Sequence, residues 1–309
     1  MEIRHLHLLR ELGERGSLAA VAEAAHVSPS AVSQQLRALQ RQAAVPLTER
    51  RGRRLALTPA GRALAGAAVD IAEALGRAER AVGGHLADRT APVRVSAFHS
   101  AGQAFFGPLL AWSSGSGGPP VHCRDEDIAQ ASFPALVADH DLVLAHRLRH
   151  GPRWPTDRGL VVTRLLSEPM DVALAADHPL AAAPEVAPVD AAAHPWVAVH
   201  QGFPLTGVLD GIGAAAGRPL DVVHRVNDFG LASAVAAAGR CLALVPRHLG
   251  RPGLHPGVVT RPLHGIAVTR DVDVLARPEN LARVAVAETL DQLRALTAAL
   301  VAATSPPQR

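Results

Sequence analysis

Lysine and tyrosine are absent from the 309 residues, and cysteine occurs only at Cys123 and Cys241. Two thiols so far apart do not make a disulfide framework. Arginine carries the whole basic charge, and with abundant alanine it points to a GC-rich genome of origin. No uncharged apolar run is long enough to span a membrane. The N-terminus reads as an amphipathic helix charged throughout, unlike a signal peptide, so a cytoplasmic protein is expected. The 16 histidines show no Cys-x-x-Cys or His-Glu-x-x-His spacing, and neither metal nor cofactor is expected. His122-Cys123 has no partners at ligand spacing. His146 and His150 are four apart, but Gly151-Pro152 argues against a helix there. Gly211-x-Gly213-x-x-x-Gly217 has the wrong spacing for a dinucleotide loop and reads as packing. No serine, cysteine or histidine set supports nucleophilic catalysis, so no enzyme is expected.

Charge is unevenly placed along the chain. Residues 1–62 hold ten arginines against five acidic residues, a net of +5, and the remainder carries −2. The length allows two or three domains with real cores. A basic segment followed by a large, nearly neutral remainder suits a nucleic-acid reader joined to something else.

The stretch 27–61 is the most informative. Ser28 can cap a helix whose first turn holds Pro29. Val32, Leu36 and Leu39 make a buried stripe, while Ser30, Ser33, Gln34, Arg37 and Arg41 share the opposite face. Hydroxyls, an amide and guanidiniums at that spacing can read base edges and hold phosphates, or form a solvated face. Ser17 can cap a preceding helix over 18–25, and His26-Val27-Ser28 joins the two as a helix-turn-helix. Ile3, Leu6, Leu9 and Leu12 mark a first helix that completes a small core. Residues 47–50 and 54–57 can pair as a hairpin around Arg51-Gly52-Arg53. Arg50, Arg51, Arg53 and Arg54 then form a guanidinium cluster on a narrow protrusion, fit for phosphates or a minor groove.

With these pieces in order, residues 1–90 resemble the DNA-binding head of LysR-type transcriptional regulators. The resemblance rests on Ile3-x-x-Leu6-x-x-Leu9, Gly16-Ser17-Leu18, Ala22-Glu23, His26-Val27-Ser28, Ala31-Val32-Ser33, Val45-Pro46-Leu47, Glu49-Arg50 and Leu57-Thr58-Pro59-Ala60-Gly61. It implies that Pro29, Ser30, Ser33 and Gln34 face bases and that Arg53 lies on the wing near the minor groove. Thr48 stands where the family usually has an aromatic residue. Gln34 stands where arginine is frequent, and it favours adenine contacts over guanine.

Thr58 and Pro59 start a further helix, in which Leu64, Ala68, Ile71, Leu75, Ala78 and Val82 form a heptad seam. That seam fits a partner helix or the protein's own surface. Paired reading heads about 34 Å apart would need a dimer. The resemblance implies pairing through this helix, as a dimer or a dimer of dimers. Gly83-Gly84 weakens the helix, and the segment through Pro92 reads as a hinge.

From Pro92 onward strands alternate with alanine-rich helices, an α/β arrangement. Strands are expected at 93–98, 121–124, 141–145, 172–175, 195–199 and 242–245. Helices are expected at 100–112, 133–138, 205–216, 231–239 and 281–303, with a flexible loop at 113–120. This part is similar to the LysR effector domain, a two-lobed α/β fold like that of periplasmic binding proteins. Asp228-Phe229, Ala236-Ala237-Ala238-Gly239 and Leu244-Val245-Pro246 match best.

The expected multidomain α/β chain has a winged helix-turn-helix at 1–58, a long linker helix and hinge at 59–90 and an effector domain at 91–309. The first lobe takes about 91–162 and 266–303, the second about 163–265. A ligand would lie between them, beyond the carboxyl ends of strands. The candidates are Phe98, His99, Ser100 and Ala101, then His146 and Arg147, then Gln201, Phe203, Asn227 and Asp228. Ser100 and Arg147 beside a helix start favour a small carboxylate.

The expected function is regulation of transcription from an inverted repeat in double-stranded DNA, controlled by a small molecule. An effector-independent architectural DNA binder stays open. So does an enzyme or transport-type binding protein carrying a DNA-binding head, although no catalytic set supports it.

Overall fold

The computed structural model describes residues 1–51, 54–83, 89–115, 117–126, 128–155, 159–200, 203 and 205–304, with backbone only at 54, 73 and 76–83. Helix α1 (Ile3–Arg15) buries Leu6, Leu8, Leu9 and Leu12. Ile3, expected in that stripe, is 51% exposed. A strict three-residue repeat turns about 60° per step on an α-helix, so Ile3 has rotated to the side opposite Leu12. Helix α2 (Leu18–Ala24) starts where Ser17 Oγ accepts the Ala20 N–H at 3.1 Å. His26 takes a left-handed φ of 52° in the following turn. Helix α3 (Pro29–Gln42) is capped by Ser28 and buries Val32, Leu36 and Leu39.

The wing pairs β1 (Thr48–Arg51) with β2 (Arg54–Leu57), Arg51 opposite Arg54. Its turn residues, Gly52 and Arg53, lie outside the described residues. Gln40 ties the wing to α3: its Nε2 donates to Val45 O at 2.9 Å, and its Oε1 accepts from Leu47 N at 2.8 Å. Helix α4 (Pro59–Gly83) begins at Thr58, whose Oγ1 accepts from Gly61 N and donates to Pro46 O. A Cβ at Gly61 would lie 1.9 Å from Leu47 O, so this crossing needs glycine. Leu64 and Ala68 pack into the head core, whereas Ile71 and Leu75 are 37% and 44% exposed. Ala78, Val82 and Gly84 of the proposed seam and hinge have no described side chain.

The remainder comprises β3 (Val93–Ala97), α5 (His99–Gly115), β4 (Val121–Asp125), a 3-10 segment Gln130–Ala138, β5 (Leu142–Leu148), β6 (Val161–Ala175), α6 (Pro188–Ala191), β7 (Pro195–Ala198), α7 (Leu205–Ala215), β8 (Asp221–Arg225), α8 (Phe229–Gly239), β9 (Leu242–Pro246), β10 (Val258–Arg261), β11 (Thr269–Ala276), α9 (Pro278–Leu281) and α10 (Val284–Thr304). Among the described residues the strands run in the order β4-β3-β5-β11-β6-β9-β7-β8, with β10 on the other side of β6. Parallel pairs join β3 to β4 and β5, and β7 to β8 and β9; β11 is antiparallel to both neighbours.

The 15-residue β6 serves both lobes. As far as Pro169 it pairs with β11, and from Met170 with β9 and β10. Pairing therefore changes at 169–170, later than the expected change at 163. The chain returns at Val268, whose carbonyl accepts Met170 N–H. One core gathers Phe105, Leu109, Phe133 and Leu293; the other centres on Trp196 and Ile212. The lobes thus hinge on two adjacent strand segments, and the cleft opens beside them.

Candidate functional site

On the head, Pro29, Ser30, Gln34 and Arg37 are exposed along α3, and Ser33 is half-buried. Ser28 Oγ and Ser30 Oγ lie 2.8 Å apart, which orders the hydroxyls at the helix start. The stripe opposite packs into the head core with α1 and α2, which leaves the polar face turned outward. Arg50 and Arg51 are exposed on β1, and Arg51 pairs with Glu49 at 2.8 Å. Arg54 places its backbone in β2; its side chain and Arg53 are outside the description.

The second site is a cavity of about 60 Å³ between the lobes. Phe98, His99, Ser100, His146 and Leu148 line it from the first lobe. Val199, Phe203, Leu205, Asn227, Asp228 and Phe229 line it from the second, and Arg270 stands at the crossover. Asn227 Oδ1 accepts the His200 N–H at 2.9 Å, fixing that loop against β8. Asp228 Oδ1 caps α8 through Leu231 N. Ala101 is fully buried behind the cavity wall. Gln201 lies outside the described residues.

Arg147 does not reach the cleft. β5 extends to Leu148, three residues past its expected end at 145, so His146 and Arg147 point to opposite faces of the sheet. His146 faces the cavity, its ring edge-on to Phe98 at 4.7 Å and Phe133 at 5.7 Å. Burial, aided by the nearby Arg270 guanidinium, pushes it down to about 3 and holds it neutral. Arg147 instead sits opposite Asp271 in the sheet and pairs with it at 3.0 Å, and with Asp273 at 3.5 Å.

The cation beside Ser100 is Arg270, which sequence reasoning missed. Its Nη2 donates to Ser100 Oγ at 3.1 Å, and its guanidinium pairs with Glu168 at 2.7 Å. It stacks 5.0 Å over Phe98 of the first lobe and 5.5 Å over Phe229 of the second. Glu168 is fully buried; its Oε1 also accepts from His248 N and Leu249 N. The available signal was the alternation Arg270-Asp271-Val272-Asp273, which puts Arg270 and the aspartates on opposite faces of a strand. Ser100 Oγ accepts from Arg270 and so keeps its own proton for another acceptor. Together with the first N–H groups of α5, the site can hydrogen-bond an anionic or carbonyl oxygen.

Residues 3–62 match the family model described as the bacterial regulatory helix-turn-helix protein, lysR family. Residues 87–298 match the LysR substrate binding domain. A probable nitrogen assimilation transcriptional activator of Synechococcus elongatus is 25% identical over 287 residues, covering 91% of this chain and 90% of that protein. The HTH-type transcriptional regulator CbbR of Xanthobacter flavus is 30% identical over 184 residues, 58% of this chain and 52% of that protein. In fold, the chain resembles full-length OxyR from Pseudomonas aeruginosa, with a TM-score of 0.66 at 18% identity over 100% of this chain and 99% of that one. It also resembles CbnR, a LysR family transcriptional regulator, with a TM-score of 0.51 at 21% identity over 95% and 100% of the chains. LysR regulators bind DNA and small-molecule effectors and form oligomers, and they are not enzymes. The chain belongs to the LysR family and is a DNA-binding transcriptional regulator with an effector-binding domain.

Proposed function

We propose that this regulator works in the cytoplasm, binds an inverted-repeat operator as a dimer or dimer of dimers, and responds to a small carboxylate in the cleft. The observation that carries the effector class is the pair Ser100 and Arg270, both buried yet lining the interlobe cavity. Because Arg270 is already neutralised by Glu168, a carboxylate would gain from hydrogen bonds and the start of α5 more than from free charge. A cavity of about 60 Å³ holds only a few atoms, so a larger effector requires the lobes to part. Binding would then bias the open and closed arrangements by its difference in affinity for them.

Pro29, Ser30, Ser33 and Gln34 would select bases, with Arg37 and the wing arginines Arg50, Arg51, Arg53 and Arg54 holding phosphates. Exposed Ile71 and Leu75 on α4 support pairing through that helix. Among the described residues no helix is long and apolar enough to cross a membrane.

The test is a thermal-shift and calorimetric screen of small mono- and dicarboxylates against the full chain, Ser100→Ala and Arg270→Met. Saturable binding lost in both variants is expected. Carboxylates that bind all three proteins equally would reject the site, and a neutral ligand that alone binds would reject the class.

A further inference from the structure

The reading head and the first lobe meet through charge. From α1 come Arg10, Glu11, Glu14 and Arg15; opposite them stand Asp139, Arg277 and Glu279. Arg10 Nη1 lies 2.7 Å from Glu279 Oε1, and Arg277 Nη2 lies 2.6 Å from Glu11 Oε1. Arg277 also holds Glu14. Arg15 Nη2 donates to Asp139 Oδ1 at 3.0 Å and to Ala138 O at 2.9 Å. The side chains of Arg10, Glu11 and Arg277 are 5%, 7% and 8% exposed, so these ions are withdrawn from water.

We infer that Arg277, with Glu11, Glu14, Arg10 and Glu279, forms a positioning joint through which the effector domain sets the placement of the DNA-reading head. Three observations carry this. First, such a contact fixes geometry without cementing it. Buried ion pairs lose in desolvation much of what they gain in attraction, and separated ions can rehydrate. Second, the network is incompletely satisfied: among the described residues, Arg277 Nε and Glu279 Oε2 are buried without a hydrogen-bond partner. Such groups favour rearrangement more than a fully paired network does.

Third, the joint is continuous with the cleft. Arg270, in the cavity wall, and Arg277, in the joint, lie at the two ends of β11 and the residue beyond it. Seven residues of strand span about 23 Å. β11 is hydrogen-bonded on both sides, to β5 in continuous register and to β6 with a register shift between Val272 and Asp273, so a tilt at one end is carried toward the other through the β5 ladder. This last step rests on the effector reading of the cleft; the joint itself does not.

The test uses the full-length protein without ligand. A DNA fragment selected by the parent from random genomic DNA is compared with versions whose half-site spacing is lengthened or shortened by a single base pair, and with an isolated half-site. Amide exchange of α1 is followed in parallel. In Arg277→Ala, exchange in α1 should speed up about tenfold or more. Discrimination among spacings should flatten, while half-site affinity stays within about twofold. Arg277→Lys should partly restore both. If Arg277→Ala is poorly folded, Glu14→Gln serves in its place.

Unchanged exchange together with unchanged spacing preference would overturn the proposal. So would equal loss on the half-site and the full fragment, which would make Arg277 a residue of the head's own stability. No ligand enters these assays, so failure here leaves the cleft reading to its own carboxylate screen.

Discussion

His99 Nε2 lies 2.9 Å from Asp228 Oδ2, and the two residues belong to different lobes. The other ring nitrogen of His99 lies 3.0 Å from Asp125. One imidazole therefore lies between carboxylates of the two lobes, with the Gln103 amide 3.1 Å from the same Nε2, and it can tie both carboxylates only with both ring nitrogens protonated. His99→Ala should leave stability within about 1 kcal/mol, because these groups are half-exposed. It should raise amide exchange at the start of α8 and enlarge the radius of gyration in small-angle scattering. An unaltered exchange pattern would count against a tie between lobes.

Gly61→Ala should disrupt the head. The new Cβ would meet the Leu47 carbonyl at 1.9 Å, backbone against backbone, with no flexible side chain to yield. Overpacking of this kind costs about 3 kcal/mol or more. Thermal unfolding of the head, followed with DNA binding, checks this; a variant as stable as the parent would show that the crossing of α4 over the wing strand can relax.

Glu168→Gln should lower stability by about 3–5 kcal/mol, since it leaves Arg270 buried without its counter-charge. Glu168→Gln with Arg270→Met should recover much of the loss, because the remaining amide can still accept from His248 N and Leu249 N. Equal destabilisation in both would show that the carboxylate matters through those backbone bonds rather than through the ion pair.

His146 should make the fold sensitive to mild acid. Its folded value is depressed from 6.5 to about 3. The unfolded chain therefore takes up this proton first as pH falls below 6.5, and stability is lost progressively down to about pH 3. His146→Leu should flatten the dependence in that window by up to about 1.4 kcal/mol per pH unit. His178 and His248, both also pushed down by burial, would retain their share of the slope. An identical slope in the variant would mean that His146 protonates in the folded protein.

Gln34→Ala and Arg50→Ala should separate base choice from grip. The first should relax the motif recovered by selection, at a cost of about 1–3 kcal/mol on the preferred base. The second should weaken binding to many sequences alike and reduce the salt slope by about one. A motif unchanged by Gln34→Ala would remove that residue from base reading.

In the head the caps and most of the buried stripes are legible in the sequence, Ile3 excepted. Ser17, Ser28 and Thr58 accept the N–H groups their positions in a capping pattern require, and Val32, Leu36 and Leu39 are buried at their helical spacing. Beyond the head, the sequence pattern does not announce β8, β10, β11 or residues 161–171 of β6. Asp221–Arg225 has little apolar alternation because it is an edge strand, with His224 and Arg225 exposed. Ser100 and His146, legible from strand ends, line the cleft cavity, and the cation that lines it beside them is Arg270 instead of Arg147. Two things account for the difference: β5 runs three residues past its expected end, and in a strand a single residue decides the face, while Arg270 lies on β11, which the sequence pattern does not announce.

What the sequence determined by itself is local: caps, helical stripes, the arginine-rich hairpin and the alternation of strands and helices, each set by neighbours a few residues away. What only the tertiary structure decided is which distant groups meet. Glu11 and Arg277 are 266 residues apart, and Ser100 and Arg270 are 170 apart. No short-range preference of the chain records such pairs. They arise when β11 is laid between β5 and β6, which brings one of its ends to the cleft and the other to the reading head.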